Sequence, residues 1–161
     1  MDNIFLLLGT NVGNTKENLR HALRALEDSH ITIKKKSQMH KTKPWGYTDQ
    51  PDFLNLALHV ECEYTPRELL TVIKRIEGNM GRKKGGERWG PRIIDIDILF
   101  YDQEVIAEQD VIIPHKEFFN RPFAMKLLCE IAPDFIPPHT GKRLVEHLEG
   151  VNCGECEIYC H

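Results

Sequence analysis

The run Arg92-Ile93-Ile94-Asp95-Ile96-Asp97-Ile98-Leu99-Phe100 constrains this chain more than any other stretch. It has the aliphatic, β-branched character of a strand, yet it carries two acids. Side chains alternate across a strand, so Asp95 and Asp97 share one face, with Ile94, Ile96, Ile98 and Phe100 on the other. The carboxylates then stand roughly 6.6 Å apart along the strand, within reach of hard cations lodged between or beside them. An Asp-x-Asp alternation is also what the plain wet side of an antiparallel sheet looks like. The neighbours weigh against that blander reading. Directly upstream, Gly81-Arg82-Lys83-Lys84-Gly85-Gly86-Glu87-Arg88-Trp89-Gly90-Pro91-Arg92 is rich in glycine and loaded with cations. Acids suited to Mg²⁺ beside a flexible basic loop suited to phosphate point to phosphoryl chemistry on a nucleotide.

The rest of the chain narrows the class. With 161 residues, a single domain over 1–161 with a real hydrophobic core is expected. A composition of 41% hydrophobic and 28% charged residues is that of a globular protein, not a disordered or membrane one. The formal net charge of −3 speaks against nucleic-acid binding by bulk electrostatics. Cations concentrated between Arg82 and Arg92 favour a local anionic ligand instead. The apolar run Ile4-Phe5-Leu6-Leu7-Leu8 is too short for a membrane span and lacks the positive leader of a secretory signal, so no membrane partner and a cytoplasmic location are expected. Five cysteines do not suggest a disulfide framework. Cys62 and Cys129 fall on apolar faces and read as buried small hydrophobes. The tail ligands Cys153, Cys156, Cys160 and His161 would chelate one tetrahedral ion awkwardly, so residues 150–161 are expected to form a loose, reduced tail.

Hydrophobic periodicity sets the element order. Residues 3–8 read as a buried strand, ended by the polar turn Gly9 to Asn14. Thr15 is the expected cap of a helix whose Leu19, Ala22, Leu23 and Leu26 share one face. Residues 31–41 read as an exposed or edge strand blunted by Lys34 to Lys36, and residues 43–51 as a loop. From Phe53 to Cys62 the alternation is clean: Leu54, Leu56, Leu58, Val60 and Cys62 oppose Phe53, Asn55, Ala57, His59 and Glu61. Thr65-Pro66-Arg67-Glu68 has the capping-box pattern, ahead of a stripe of Leu69, Ile73, Ile76 and Met80. After the Asp-x-Asp strand come a short strand pair near residues 104–106 and 111–113, a helix from about 122 to 132 and another near 144–148. The order β-α-β-β-α-β with C-terminal additions is the split βαβ, ferredoxin-like plan: an α+β fold with an antiparallel sheet and both core helices on one face.

The site residues follow from that plan. No Gly-x-x-x-x-Gly-Lys-Ser/Thr run exists, which excludes a P-loop enzyme. The Gly9 to Asn14 turn either presents helix amides to an anion or is a plain turn with an N-cap. Phosphoryl transfer needs reactants held in line and charge neutralised. Asp95 and Asp97 would hold Mg²⁺, Arg82 and Arg92 would meet phosphate, and the loop glycines would let that segment close. Trp89 is either the tip of that lid or a core anchor. Phe53 and Asn55 share a face, one able to stack on a flat ring and the other both donor and acceptor, a pairing suited to a heteroaromatic substrate.

Three stretches carry a resemblance across nearly the whole chain: Leu8-Gly9-Thr10-Asn11-Val12-Gly13, Asp49-Gln50-Pro51-Asp52-Phe53-Leu54-Asn55, and above all Glu87-Arg88-Trp89-Gly90-Pro91-Arg92 followed by Asp95-Ile96-Asp97. Pro114-His115, Asn120-Arg121 and Glu130-Ile131-Ala132-Pro133 continue it. In these motifs the chain resembles the 6-hydroxymethyl-7,8-dihydropterin pyrophosphokinases of folate biosynthesis. The resemblance implies transfer of an intact pyrophosphoryl group from ATP to the pterin hydroxymethyl oxygen, with two Mg²⁺ on Asp95 and Asp97 and release of AMP. It implies that Arg82 and Arg92 handle phosphate and loop closure. The pterin is expected on Thr42, Pro44, Trp45, Phe53, Asn55 and Phe123, with Phe53 and Phe123 as the sandwiching rings. ATP is expected on Glu77, Lys84, Trp89, Ile98, His115 and Arg121. Lys74, Lys84, Asp110, Ile112 and Lys116 depart from residues found in some members. A monomer, or at most a weak dimer, acting on small molecules is expected.

Two other classes compete. A nucleotidyl- or simple phosphotransferase on this fold would keep the acids and arginines but would not need Phe53, Asn55 and Phe123 together. A ferredoxin-like RNA-binding module would use Phe53 as a stacking platform, against the acidic net charge and the two strand aspartates.

Overall fold

The structure, a computed structural model, describes residues 3–42, 52–81, 93–149 and 156–158. Thirteen described elements follow in order: β1 (Ile4–Thr10), α1 (Thr15–Asp28), β2 (Thr32–Lys36), β3 (His40–Thr42), β4 (Phe53–Glu61), α2 (Pro66–Gly81), β5 (Asp95–Tyr101), β6 (Ile106–Ala107), β7 (Ile112–Ile113), a 3-10 turn (Phe118–Asn120), α3 (Pro122–Ile131), α4 (Leu144–Leu148) and β8 (Cys156–Ile158). The main sheet runs β5-β1-β4-β3-β8, with β2 also on β4, and every pairing in it is antiparallel. The first and third long strands are central neighbours, as the split βαβ plan requires. The α+β, ferredoxin-like fold expected from the sequence is the observed one.

Each helix starts where local chemistry allows. In α1 the cap is Asn14, one residue before the expected Thr15: its side chain accepts from the Glu17 N–H at 3.1 Å. The turn before it closes on itself. Asn18 donates to Thr10 Oγ1 at 3.0 Å and to the Val12 carbonyl at 2.7 Å, while Gly13 adopts φ +65°. Those bonds favour the plain turn over an anion cradle. At α2 the capping box forms as read: Thr65 N–H donates to Glu68 Oε1 at 2.9 Å and Glu68 N–H to Thr65 Oγ1 at 3.2 Å. Those bonds from Thr65 hold the Glu68 carboxyl below the usual carboxylate range.

Two hydrophobic layers sandwich the sheet. On one face Ile4, Leu6 and Leu8 of β1 and Leu54, Leu56, Leu58 and Val60 of β4 pack under Leu19, Ala22 and Leu26 of α1 and Leu69, Ile73 and Ile76 of α2. Of the stripes read from periodicity, Leu23 and Met80 are only partly buried, the others are buried, and Val72 joins them. On the other face Phe5, Leu7 and Ala57 meet Phe118, Leu127, Leu128 and Leu144 from the C-terminal additions. Cys62 is buried and Cys129 partly so, both free thiols, and burial pushes both above the ordinary thiol range.

One expectation for β5 fails. Phe100 does not share a face with Ile94, Ile96 and Ile98. The ladder pairs Leu6 with Ile98 but Phe5 with Phe100, so Leu99 is an extra residue and the alternation flips there. Phe100 therefore joins the second layer, its ring centroid 4.9 Å from that of Phe118 and 5.1 Å from that of Phe135. Tyr101 takes the first face instead. Its hydroxyl donates to the Tyr64 carbonyl, and burial pushes it up to about 12.

The edges are finished by side chains. β2 is the expected exposed edge, with Lys34 Nζ 3.4 Å from Glu61. Arg67 of α2 ties down the β6–β7 hairpin through Glu108 and Asp110, the latter at 2.7 Å. The tail departs from expectation: residues 156–158 form β8, which pairs Thr42 with Cys156 and His40 with Ile158. A strand on the sheet edge is not a loose segment. The other tail residues lie outside the described set. Among the described residues, no helix is long and apolar enough to cross a membrane.

Candidate active site

The second layer covers only part of its face. Past Phe5 and Leu7 its apolar packing thins, and the next residue on that face of β1 is Gly9. Register then brings Asp95, Gly9, Asn55 and His40 into one row across four strands. A hollow of about 520 Å³ opens at this row, with Leu7 and Gly9 as its floor. Thr42, Phe53 and Asn55 line one side, Asp95 and Asp97 the other, and Arg121 and Phe123 lie at the start of α3. A Cβ on Gly9 would come 2.9 Å from Asn55 Oδ1, so only glycine leaves that amide where it is.

Asn55 is almost wholly buried. Its Nδ2 donates to Thr42 Oγ1 at 2.6 Å, which leaves a further N–H and its carbonyl for the hollow. An apolar floor, two aromatic rings and a few oriented polar groups are what a small-molecule site consists of.

Asp97 lines a second hollow as well. That one, about 600 Å³, runs along the outer side of β5, between Leu70 and Lys74 of α2, Ile98, the 109–113 hairpin and His115. Among the described residues, Asp97 alone lines both. His115 Nε2 stands 3.8 Å from Asp97 Oδ2, and its Nδ1 accepts from the Glu117 N–H at 3.1 Å. Burial holds His115 below the ordinary imidazole range, against the opposing pull of the Asp97 carboxylate. In the neutral ring the occupied Nδ1 leaves the hydrogen on Nε2, aimed at the acid.

The remaining predicted residues divide clearly. Thr42, Phe53, Asn55, Phe123, Asp95 and Asp97 come together in the first hollow, and Ile98 and His115 line the second. Arg121, expected with ATP, lines the first. Glu77 lines neither hollow: its Oε2 accepts the Ile96 N–H at 2.8 Å, and Oε1 is 3.6 Å from Lys74 Nζ. Ile96 sits between the two aspartates on a strand whose outer side has no ladder partner among the described residues, so Glu77 pins the stretch that carries them. Pro44, Trp45, Arg82, Lys84, Trp89 and Arg92 lie outside the described residues. Leu7 and Gly9 were missed as lining residues; a glycine inside an otherwise apolar strand, a mark of close backbone approach, was the available signal.

The donor set suits a hard cation. Two carboxylates share one face, and Asp97 is 40% exposed. No group of three or more His, Cys, Asp or Glu converges among the described residues. A two-carboxylate set fits Mg²⁺, which keeps waters and substrate phosphates as its other ligands, better than it fits Zn²⁺.

Fold and site together define a ferredoxin-like α+β domain with an acid pair between two small-molecule hollows. The family model described as 7,8-dihydro-6-hydroxymethylpterin-pyrophosphokinase (HPPK) matches residues 5–133, and the chain belongs to that family. The chain is 40% identical over 146 residues to a 2-amino-4-hydroxy-6-hydroxymethyldihydropteridine pyrophosphokinase of Aquifex aeolicus, covering 91% of this chain and 90% of the relative. It is 42% identical over 130 residues to a folate synthesis bifunctional protein of Arabidopsis thaliana, covering 81% of this chain but only 27% of that longer protein. Among solved structures, a Plasmodium falciparum HPPK-DHPS superposes with a TM-score of 0.73 at 18% identity, over 92% of this chain and 45% of that one, a likeness of fold.

Proposed function

We propose that this chain, as a single domain, transfers a pyrophosphoryl group from ATP to the hydroxymethyl oxygen of 6-hydroxymethyl-7,8-dihydropterin, giving the pterin diphosphate and AMP in folate synthesis. The observation that carries the reading is Asp97, which lines the hollow suited to a flat ring and the hollow suited to a nucleotide. A group passed from one ligand to the other would cross at that carboxylate.

In this reading Phe53 and Phe123 stack on the pterin, and Asn55 and Thr42 meet its polar edge. Held there, the hydroxymethyl oxygen attacks the β-phosphorus. The bond from that phosphorus to the bridging oxygen of the α-phosphate breaks, AMP leaves with the bridging oxygen, and the hydroxyl proton is lost. Positioning of this kind supplies much of the rate in phosphoryl transfer. The neutral His115 Nε2–H is a donor for a phosphate oxygen, and Arg121 adds positive charge at the mouth of α3. Asp95 and Asp97 would hold two Mg²⁺ ions, which when bound neutralise phosphate charge. On their positions in the family motif, Arg82, Arg92 and Lys84 are assigned to phosphate, Trp89 to the nucleotide, and Pro44 and Trp45 to the pterin. The acting form is taken to be a monomer, or at most a weak dimer. Two unbridged thiols support a reducing compartment, the cytoplasm.

Incubation with Mg-ATP and the hydroxymethyl dihydropterin, with products resolved by ³¹P NMR, tests the reading. AMP and a pterin diphosphate are expected. ADP would show simple phosphoryl transfer instead, and absence of turnover with retention of single-stranded RNA would make the fold a binding module.

A further inference from the structure

Away from the acids, a wholly buried imidazole on β3 meets a surface carboxylate of α3 in a pair that the reaction does not use. Between β2 and β3 the ladder to β4 breaks: Lys36 pairs with Leu58, but His40 pairs with Asn55. Ser37 patches the first step, its N–H donating to the Ala57 carbonyl at 2.9 Å and its Oγ accepting from the Ala57 N–H at 2.9 Å. The next step is patched from another element altogether. Glu130 of α3 accepts the Gln38 N–H on Oε1 at 2.9 Å and the His40 Nε2–H on Oε2 at 2.5 Å. His40 is wholly buried, and its Nδ1 has no hydrogen-bond partner among the described residues. The carboxylate is therefore that ring's polar anchor among those residues.

Both ends of this link lead to the first hollow. His40 and Thr42 are two apart on β3 and so face the same way, towards α3. Thr42 holds Asn55 at 2.6 Å. On α3, Phe123 and Glu130 are seven apart, so they share a helix face about 10 Å apart along the axis. A helix held at Glu130 is held at Phe123. The aromatic on α3 and the polar pair on β3 and β4 are thus linked by one carboxylate, alongside the packing of Leu127 and Leu128 into the second layer.

We propose that Glu130 and His40 form a positioning pair that sets the width of the pterin hollow, between Phe123 above and Thr42, Asn55 and Phe53 beside it, without touching the substrate. The inference rests on the reading of that hollow as the pterin site. It makes the pair specific for one substrate, because the second hollow is built from α2, β5 and the hairpin, none of which the pair contacts.

The test is binding and turnover by Glu130→Ala and Glu130→Gln beside the unsubstituted protein, titrated separately with the pterin and with a non-hydrolysable Mg-ATP analogue. In Glu130→Ala the pterin dissociation constant and KM should rise roughly tenfold, the misplacement of a bound group being costly, with the analogue's affinity unchanged and kcat within about twofold. Glu130→Gln keeps one acceptor for Gln38 and offers an N–H to His40 Nε2, which accepts it once the ring hydrogen moves to Nδ1, and should recover part of the pterin affinity. Should Glu130→Ala lose its folded far-UV spectrum, His40→Leu carries the same expectation. Equal losses for both ligands, or unchanged pterin binding in Glu130→Ala or His40→Leu, would overturn the pair's role while leaving the hollow's assignment intact. Failure of the unsubstituted protein itself to bind the pterin would overturn that assignment and the inference with it.

Discussion

A single missing side chain, at Gly9, keeps the floor of the first hollow flat. The methyl of Gly9→Ala would sit 2.9 Å from Asn55 Oδ1 and push the amide off its bond to Thr42. Turnover in the AMP-release assay should fall about a hundredfold, the scale of an ångström-sized misplacement, while the far-UV spectrum stays unchanged. At this scale the chemistry was legible where residue type and period coincided: Phe53, Asn55, Asp95 and Asp97 needed only the alternation of a strand to fall on one face. Gly9 was not, because a residue that acts by lacking atoms leaves no chemical signature of its own. Glu77, expected with ATP on the resemblance alone, was not legible as a strut, since its partner is a backbone amide on a distant strand.

Among the elements, α2 depends most openly on its first turn. Thr65→Ala removes the hydroxyl that accepts the Glu68 N–H and should cost about 1 kcal/mol, read as a lower urea midpoint with an unchanged slope. The reciprocal bond, from the Thr65 N–H to the Glu68 carboxylate, is a separate contribution: with that carboxyl held below its usual range, it is present at neutral pH and fades as pH falls through the lowered value. The capping box was readable because all its parts lie within four residues. The bulge at Leu99 was not, because it is set by register against β1, and nothing local in Ile98-Leu99-Phe100 announces where two strands fall out of step. The same holds for β8: pairing of the tail with β3 is a long-range event that a cysteine-rich composition hides.

For the whole molecule, the C-terminal additions do more than trail behind the split βαβ unit. They build the second layer, and where its apolar packing thins beside Gly9 they leave a hollow lined by Arg121 and Phe123 of their own. Phe100 sits at the centre of that layer, wholly buried between Phe118 and Phe135. Phe100→Ala should therefore destabilise the protein by about 3 to 5 kcal/mol, measured by urea unfolding. A loss under about 1 kcal/mol would mean that the second layer is not a true core. The central pairing of β1 with β4 was predictable from the element order alone, whereas the extent of the sheet's second covering depends on packing that periodicity does not encode.

The central claim is that the carboxylate shared by the two hollows serves the transfer of pyrophosphate. Steady-state turnover of Asp97→Ala with Mg-ATP and the hydroxymethyl pterin, beside its circular dichroism, tests it most directly. The account predicts turnover reduced at least about a hundredfold in a chain that remains folded. Near-normal AMP release from a folded Asp97→Ala would contradict it.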